Sequence, residues 1–217
     1  MTDRAETFAR VLRLERGRTA LLVVDMQRGF VEAGEVMEVP QARGIVPAIR
    51  SLLDGFRGKQ LPVVFTEFTY SPAAALLVGE LHPEHRPAPA GAPRGFGVPS
   101  SSCLEGDPSA TTIGALAPQA DELVVRKRWY DGFAGTELDG ALRARGVTSL
   151  VITGTMTDIC VLATVVGAFN REYRISVVED GVATLQPEIQ RATLDIVGRA
   201  FGRVVQSKEV LDTISGW

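Results

Sequence analysis

Six short apolar runs punctuate the chain: Ala20–Val24, Pro62–Thr66, Glu122–Val125, Ser149–Thr153, Arg174–Glu179 and Arg203–Gln206. Their Val, Ile and Leu residues follow one another without polar alternation, the pattern of strands covered on both faces. Between the runs the apolar spacing becomes helical. Ile45, Ile49, Leu52, Leu53 and Phe56 form one stripe before Gly58, and Leu138, Ala141, Leu142 and Ala144 form a second. Val161, Val165, Ala168 and Phe169 form a third, and Pro187 opens a fourth through Ile189, Leu194, Ile196, Val197 and Phe201. Gly146 and Gly202 stand where helix C-terminal caps are wanted. Strands alternating with helices predict a parallel sheet with helices on both faces, a three-layer α/β/α domain.

The stretch from Phe68 to Thr112 breaks the alternation. It is rich in Pro, Ala, Gly and Ser and too long for a plain connection, so a lid or substrate-shaping excursion over about residues 68–112 is expected. No internal repeat and no low-complexity linker divides the chain, so residues 1–217 are read as one domain.

Composition narrows the function classes. Of 217 residues, 45% are hydrophobic and 23% charged, globular proportions that exclude a disordered or fibrous chain. A net charge of −3 argues against a dedicated nucleic-acid binder. No apolar run reaches the roughly 20 residues of a membrane span. Asp3, Arg4, Glu6, Arg10, Arg13, Glu15 and Arg16 interrupt any signal-peptide core near the start, so a cytoplasmic location is expected. Two cysteines, Cys103 and Cys160, allow at most one disulfide, which a cytosolic chain of this size does not need.

Ligands of open parallel sheets bind outside the carboxyl ends of the strands. Just past those ends stand Asp25 in LLVVDMQRGF, Glu67 and Thr69, Lys127 and Arg128 in VVRKRWYDGF, and Cys160 in GTMTDIC. An acid, a cation and a thiol more than a hundred residues apart thus converge on one rim. Thr157 and Asp158 suit a helix N-cap, which would put Cys160 in a first turn whose dipole and free N–H groups favour thiolate. The Cys160 N–H and another from the Gly154–Asp158 turn are candidates for an oxyanion hole. The plainer readings are an inert buried Cys160, a turn-forming Asp25 and a solvated Arg126-Lys127-Arg128 patch. No G-x-G-x-x-G follows the first strand, which excludes dinucleotide binding on motif grounds.

With Asp25, Lys127 and Cys160 in those frames, the sequence resembles the isochorismatase-like cysteine hydrolases. Three blocks carry the resemblance: LLVVDMQRGF, VVRKRWYDGFAGTELDGALRARGV and LVITGTMTDICVLATVVGAFNREYRISVVEDGVAT. It runs from about Thr19 to Val205 and is weakest from Phe68 to Ser100. It implies a six-stranded, mainly parallel sheet of isochorismatase-like (Rossmann-like) fold, and an Asp25–Lys127–Cys160 triad. It also implies a cis peptide at Thr155–Met156, an oxyanion hole from the Met156 and Cys160 N–H groups, pocket residues Gln27 and Phe30, and a homo-oligomer.

Two departures narrow the expected substrate. Members that cleave a vinyl ether lack the Cys, so Cys160 favours covalent amide chemistry. Nicotinamidase-like members carry an Asp-x-His metal motif where this chain has Glu67-Phe68-Thr69, so no metal and no other cofactor is expected. His82 and His85, in HPEH, are expected in a solvated, Pro-flanked turn. The expectation is hydrolysis of the C–N bond of a small amide, ureide or carbamoyl compound, with Glu67, Tyr70, Trp129 and Tyr130 as selectors and no nucleic-acid or membrane partner. The alternatives are a non-amide hydrolase of isochorismatase type, a nicotinamidase, and a catalytically silent α/β module. The role of Cys103 stays open.

Overall fold

The apolar runs become six parallel strands of one sheet in the computed structural model of the chain, which describes residues 4–74 and 76–217. The strands are β1 (Thr19–Val24), β2 (Val63–Phe68), β3 (Leu123–Lys127), β4 (Ser149–Thr155), β5 (Arg174–Ala183) and β6 (Arg203–Val205), in spatial order β3-β2-β1-β4-β5-β6. β1 lies at the centre with every residue buried. Its run is apolar throughout because both faces are covered: Ala20, Leu22 and Val24 enter one core, Leu21 and Val23 the other.

The helices are α1 (Arg4–Val11), α2 (Arg28–Val31), α3 (Ala42–Gly58), α4 (Leu77–Leu81), α5 (Leu138–Ala144), α6 (Leu162–Phe169), α7 (Pro187–Ala200) and α8 (Ser207–Ser215). The stripe of α3 packs on one face of the sheet with α8, while α5, α6 and α7 cover the other. The expected stripes fall on α3, α5, α6 and α7, and α1, α2, α4 and α8 are additions to the sequence reading. Among the described residues no helix is long and apolar enough to cross a membrane. Met1, Thr2 and Asp3, part of the charged start, lie outside the described residues.

Strand ends move by a few residues, and this matters at the rim. β2 continues through Glu67 and Phe68, and β3 ends on Lys127 rather than Val125. Arg126 and Arg128 are exposed while Lys127 between them is fully buried, as the two-residue period of a strand requires. The register of β4 on β5 jumps from Ile152↔Val177 to Gly154↔Val182, which lets β5 run on to Ala183. Connections leave β1 in opposite directions toward β2 and, by way of β3, toward β4, so a crevice opens between the carboxyl ends of β1 and β4.

The 68–112 excursion is ordered around its HPEH turn. The Glu84 carbonyl accepts the N–H groups of Ser100 and Ser102, and its Oε1 accepts the Gly97 N–H at 2.6 Å. Glu84 and His85 are buried. The expectation of a solvated turn is therefore corrected: the chain folds back over this turn and uses its carbonyl and carboxylate as anchors.

Candidate active site

Asp25 follows β1 with φ of +49° and is fully buried. Its Oδ1 accepts the Thr66 hydroxyl at 2.7 Å, and its Oδ2 lies 2.7 Å from Lys127 Nζ. Lys127 is equally buried; its ammonium also donates to the Trp129 carbonyl at 3.1 Å and sits 5.5 Å from the centre of the Phe68 ring. Two buried opposite charges at this distance need each other, because either alone carries a desolvation penalty with no offset.

Cys160 reaches the same point from β4. The chain leaves β4 through Gly154, at φ +117°, where an added Cβ would lie 2.0 Å from the Val24 carbonyl oxygen. Only glycine permits that approach, and it brings the turn after β4 against the end of β1. The Thr155–Met156 peptide is cis. Residues Thr157–Val161 then form one π-helical turn that runs into α6.

This corrects the expected setting of the thiol. Thr157 and Asp158 do not cap the turn; Met156 occupies the N-cap position, and Asp158 Oδ1 instead accepts the Thr184 hydroxyl. Burial pushes the Cys160 thiol up to about 12, the Asp25 carboxylate adds to the rise, and Lys127 opposes it. Burial therefore favours the neutral thiol, against the tendency toward thiolate expected from a helix start. Burial pulls the Lys127 ammonium down, but Asp25 and Cys160 outweigh it and leave its pKa raised. The arrangement is a thiol beside a carboxylate–ammonium pair, suited to a nucleophile that loses its proton only on demand.

Above Cys160 lies a cavity of ≈ 240 Å³. Of the residues expected to bind substrate, Phe30 and Tyr130 line it, together with Met156 and Cys160. The others do different work. Gln27 is a buried clamp: its Nε2 donates to the Phe68 and Ala110 carbonyls, both at 2.8 Å, and its Oε1 accepts the Phe68 N–H at 2.7 Å. Glu67 Oε1 accepts both the N–H and the hydroxyl of Thr112, at 2.8 and 2.9 Å, and so ties the end of the excursion to β2. Tyr70 is buried, packs over Gly79 and stacks on His85. Trp129 is half exposed and packs over Gly135. Gln27, Glu67, Tyr70 and Trp129 are thus supports around the cavity and not part of its wall. Cys103 is sealed among Gly29 and Ser109, with burial raising its thiol pKa well above the usual range.

The rest of the wall comes from Met37, Phe68, His82, His85, Phe96, Thr155, Ile159 and Leu185. His85 carried a signal in the sequence, as part of HPEH, but was assigned to solvent. Met37 and Leu185 are single apolar residues in loops and carried none. Among the described residues no group of three or more His, Cys, Asp or Glu side chains is placed to hold a metal ion.

Comparison with known proteins agrees with this geometry. A ureidoacrylate amidohydrolase of Agrobacterium fabrum is 30% identical over 210 residues, which cover 93% of this chain and 92% of that protein. A cysteine hydrolase of Pseudomonas syringae pv. phaseolicola 1448A superposes with a TM-score of 0.84 at 29% identity, over 94% of this chain and 95% of the other. N-carbamoylsarcosine amidase of Thermoplasma acidophilum superposes with a TM-score of 0.69 at 31% identity, over 88% and 96% of the two chains. The isochorismatase domain matches residues 19–209, nearly the whole length. By that match the chain belongs to the isochorismatase family.

Proposed function

We propose that Cys160 is the nucleophile, Asp25 the proton carrier and Lys127 the cation that holds both in place. The chain is a hydrolase of this family acting on the C–N bond of a small amide or ureide. The observation that carries the catalytic reading is the buried Asp25–Lys127 pair, 2.7 Å apart, beside a thiol at the floor of a cavity.

Asp25 takes the Cys160 proton as sulfur attacks the substrate carbonyl carbon. The resulting oxyanion rests on the Met156 and Cys160 N–H groups. As the tetrahedral species collapses, the C–N bond breaks and Asp25 gives its proton to the departing nitrogen, leaving a thioester, or a thiocarbamate if the substrate is a ureide. Asp25 then takes a proton from water, which attacks the acyl carbon. Cleavage of the C–S bond returns the proton to sulfur and releases the acid. A thiol whose pKa burial raises suits this cycle, because proton removal and attack occur in one encounter and the carboxylate is recharged each turn.

Ammonia release by the wild type beside Cys160→Ala tests the reading. The substitution should abolish turnover and leave the fold intact, since one small side chain at the edge of a cavity contributes little packing. Substantial ammonia release by Cys160→Ala would sink the covalent scheme.

A further inference from the structure

The cavity's wall and its floor have opposite chemical characters, and the contrast points to a substrate class for the site just proposed; the inference rests on that reading. The floor is ionic. The wall is mainly apolar, with Phe30, Phe68, Ile159, Leu185 and the two methionines Met37 and Met156, and its polar side chains are those of His82, His85, Tyr130 and Thr155. None of its described residues is Arg or Lys. The buried cation nearby, Lys127, is already engaged by Asp25 at 2.7 Å and by the Trp129 carbonyl at 3.1 Å.

His85 sharpens the contrast. Its Nδ1 lies 2.7 Å from the Ser102 carbonyl oxygen. A carbonyl only accepts, so Nδ1 carries the hydrogen, and in the neutral ring Nε2 keeps the lone pair. Burial lowers the His85 pKa and His82 lowers it further, against the opposing pull of the Ser102 bond and Glu84. Burial thus favours the neutral ring, in which Nε2 is an acceptor. A carboxylate placed here would lose water against rings and methyl groups and meet no fixed cation.

We infer that this enzyme's substrate is an uncharged carboxamide whose body is apolar and about one ring in size, and that substrates bearing a carboxylate are rejected by the wall. The size follows from the volume: engineered apolar cavities of about 150 Å³ admit benzene, so ≈ 240 Å³ holds a ring with its carboxamide directed at Cys160.

Steady-state ammonia release tests this with benzamide and phenylacetamide against ureidoacrylate, in the wild type and in Leu185→Arg. For the wild type, kcat/KM should favour the two uncharged amides by about 100-fold or more. Leu185 is 46% exposed at the mouth, so an arginine there can reach solvent and still face the wall. It should narrow the preference by about 10-fold through better use of ureidoacrylate. A wild type that prefers ureidoacrylate, with turnover still dependent on Cys160, overturns the substrate class and leaves the catalytic reading standing. Turnover that persists in Cys160→Ala overturns the catalytic reading instead. If none of the three is turned over, protection of Cys160 from iodoacetamide decides. Slower alkylation with benzamide or phenylacetamide and not with ureidoacrylate supports the inference. Protection by ureidoacrylate, or by none, overturns it.

Discussion

The rim of the sheet and the excursion that roofs it meet at one cavity but are held by different means. On the rim, backbone ladders set the positions. Val24 pairs with both Thr66 and Gly154, and Phe68 pairs with Lys127, so the carboxyl ends of β1, β2, β3 and β4 arrive together before any side chain is considered. In the roof, single turn carbonyls and side chains replace the ladder. Glu84 gathers Gly97, Ser100 and Ser102, while the Ser109 hydroxyl accepts the Cys103 N–H and donates to Asp107. The two cysteines show the consequence. Both are buried and both have raised thiol pKa values, but Cys160 adjoins the cavity and a cation, whereas Cys103 is sealed against Gly29. Burial alone does not distinguish the two; under the proposed mechanism, the ion pair and the opening beside the sulfur do.

The sharpest way to break that contrast is Asp25→Asn. Turnover should fall by more than about 10³-fold, because the amide cannot relay a proton in either half of the cycle. The thiol should respond in the opposite sense. Asp25 raises the Cys160 pKa through its charge and as a hydrogen-bond partner, while Lys127 lowers it. Removing the carboxylate takes away two of the influences that raise the pKa and leaves burial alone to oppose Lys127, so the pKa drops and more thiolate is present at any pH below it. Iodoacetamide should label Cys160 faster in the variant at pH 8, with its rate plateau shifted to lower pH than in the wild type. Slower labelling in Asp25→Asn would mean that the carboxylate does not face the sulfur.

Lys127→Met ranks next, and its effect is on stability as well as rate. It leaves Asp25 fully buried without its cation. Removing one partner of such a pair costs about 3–5 kcal/mol, so the urea midpoint should drop far more than for any surface charge. In whatever fraction folds, Cys160 labelling should slow, since the influence that lowers its pKa is gone. A small stability change with unchanged labelling would show that the pair is not the buried unit that its geometry describes.

These sites also show what a sequence can disclose. Asp25, Lys127 and Cys160 were visible because a continuous apolar run marks a strand buried on both faces, and whatever follows it lies on the rim. Lys127 hid in a basic triplet, but the alternation along β3 buries it alone. Gln27, Glu67, Tyr70 and Trp129 stand outside the cavity lining for a physical reason. Nearness to the rim in sequence does not say which way a side chain turns, and β2 running two residues further put Glu67 inside the ladder with Thr112 as its partner. The roof was not legible, because its shape depends on hydrogen bonds between residues 13 to 18 apart, such as Glu84 with Gly97 and Ser102, with no periodicity to announce them.

Glu84→Ala probes that roof and should give the smallest effect of the three. The carboxylate Oε1 accepts the Gly97 N–H, while the residue's own carbonyl holds Ser100 and Ser102. Alanine keeps the carbonyl bonds and removes only the side-chain anchor, at about 1 kcal/mol for one part-buried hydrogen bond whose freed N–H can turn to water. The loss falls on residues 94–100 and not on the sheet. The global unfolding midpoint should therefore move little, while proteolysis within that loop quickens. Phe96 belongs to the cavity wall and lies in the freed segment. KM should accordingly rise, by up to about 10-fold, with kcat nearly kept, because the floor that performs the chemistry is held by the ladder. A matching fall in kcat would mean instead that the roof positions the reacting groups, and the division between a catalytic floor and a binding roof would have to be given up.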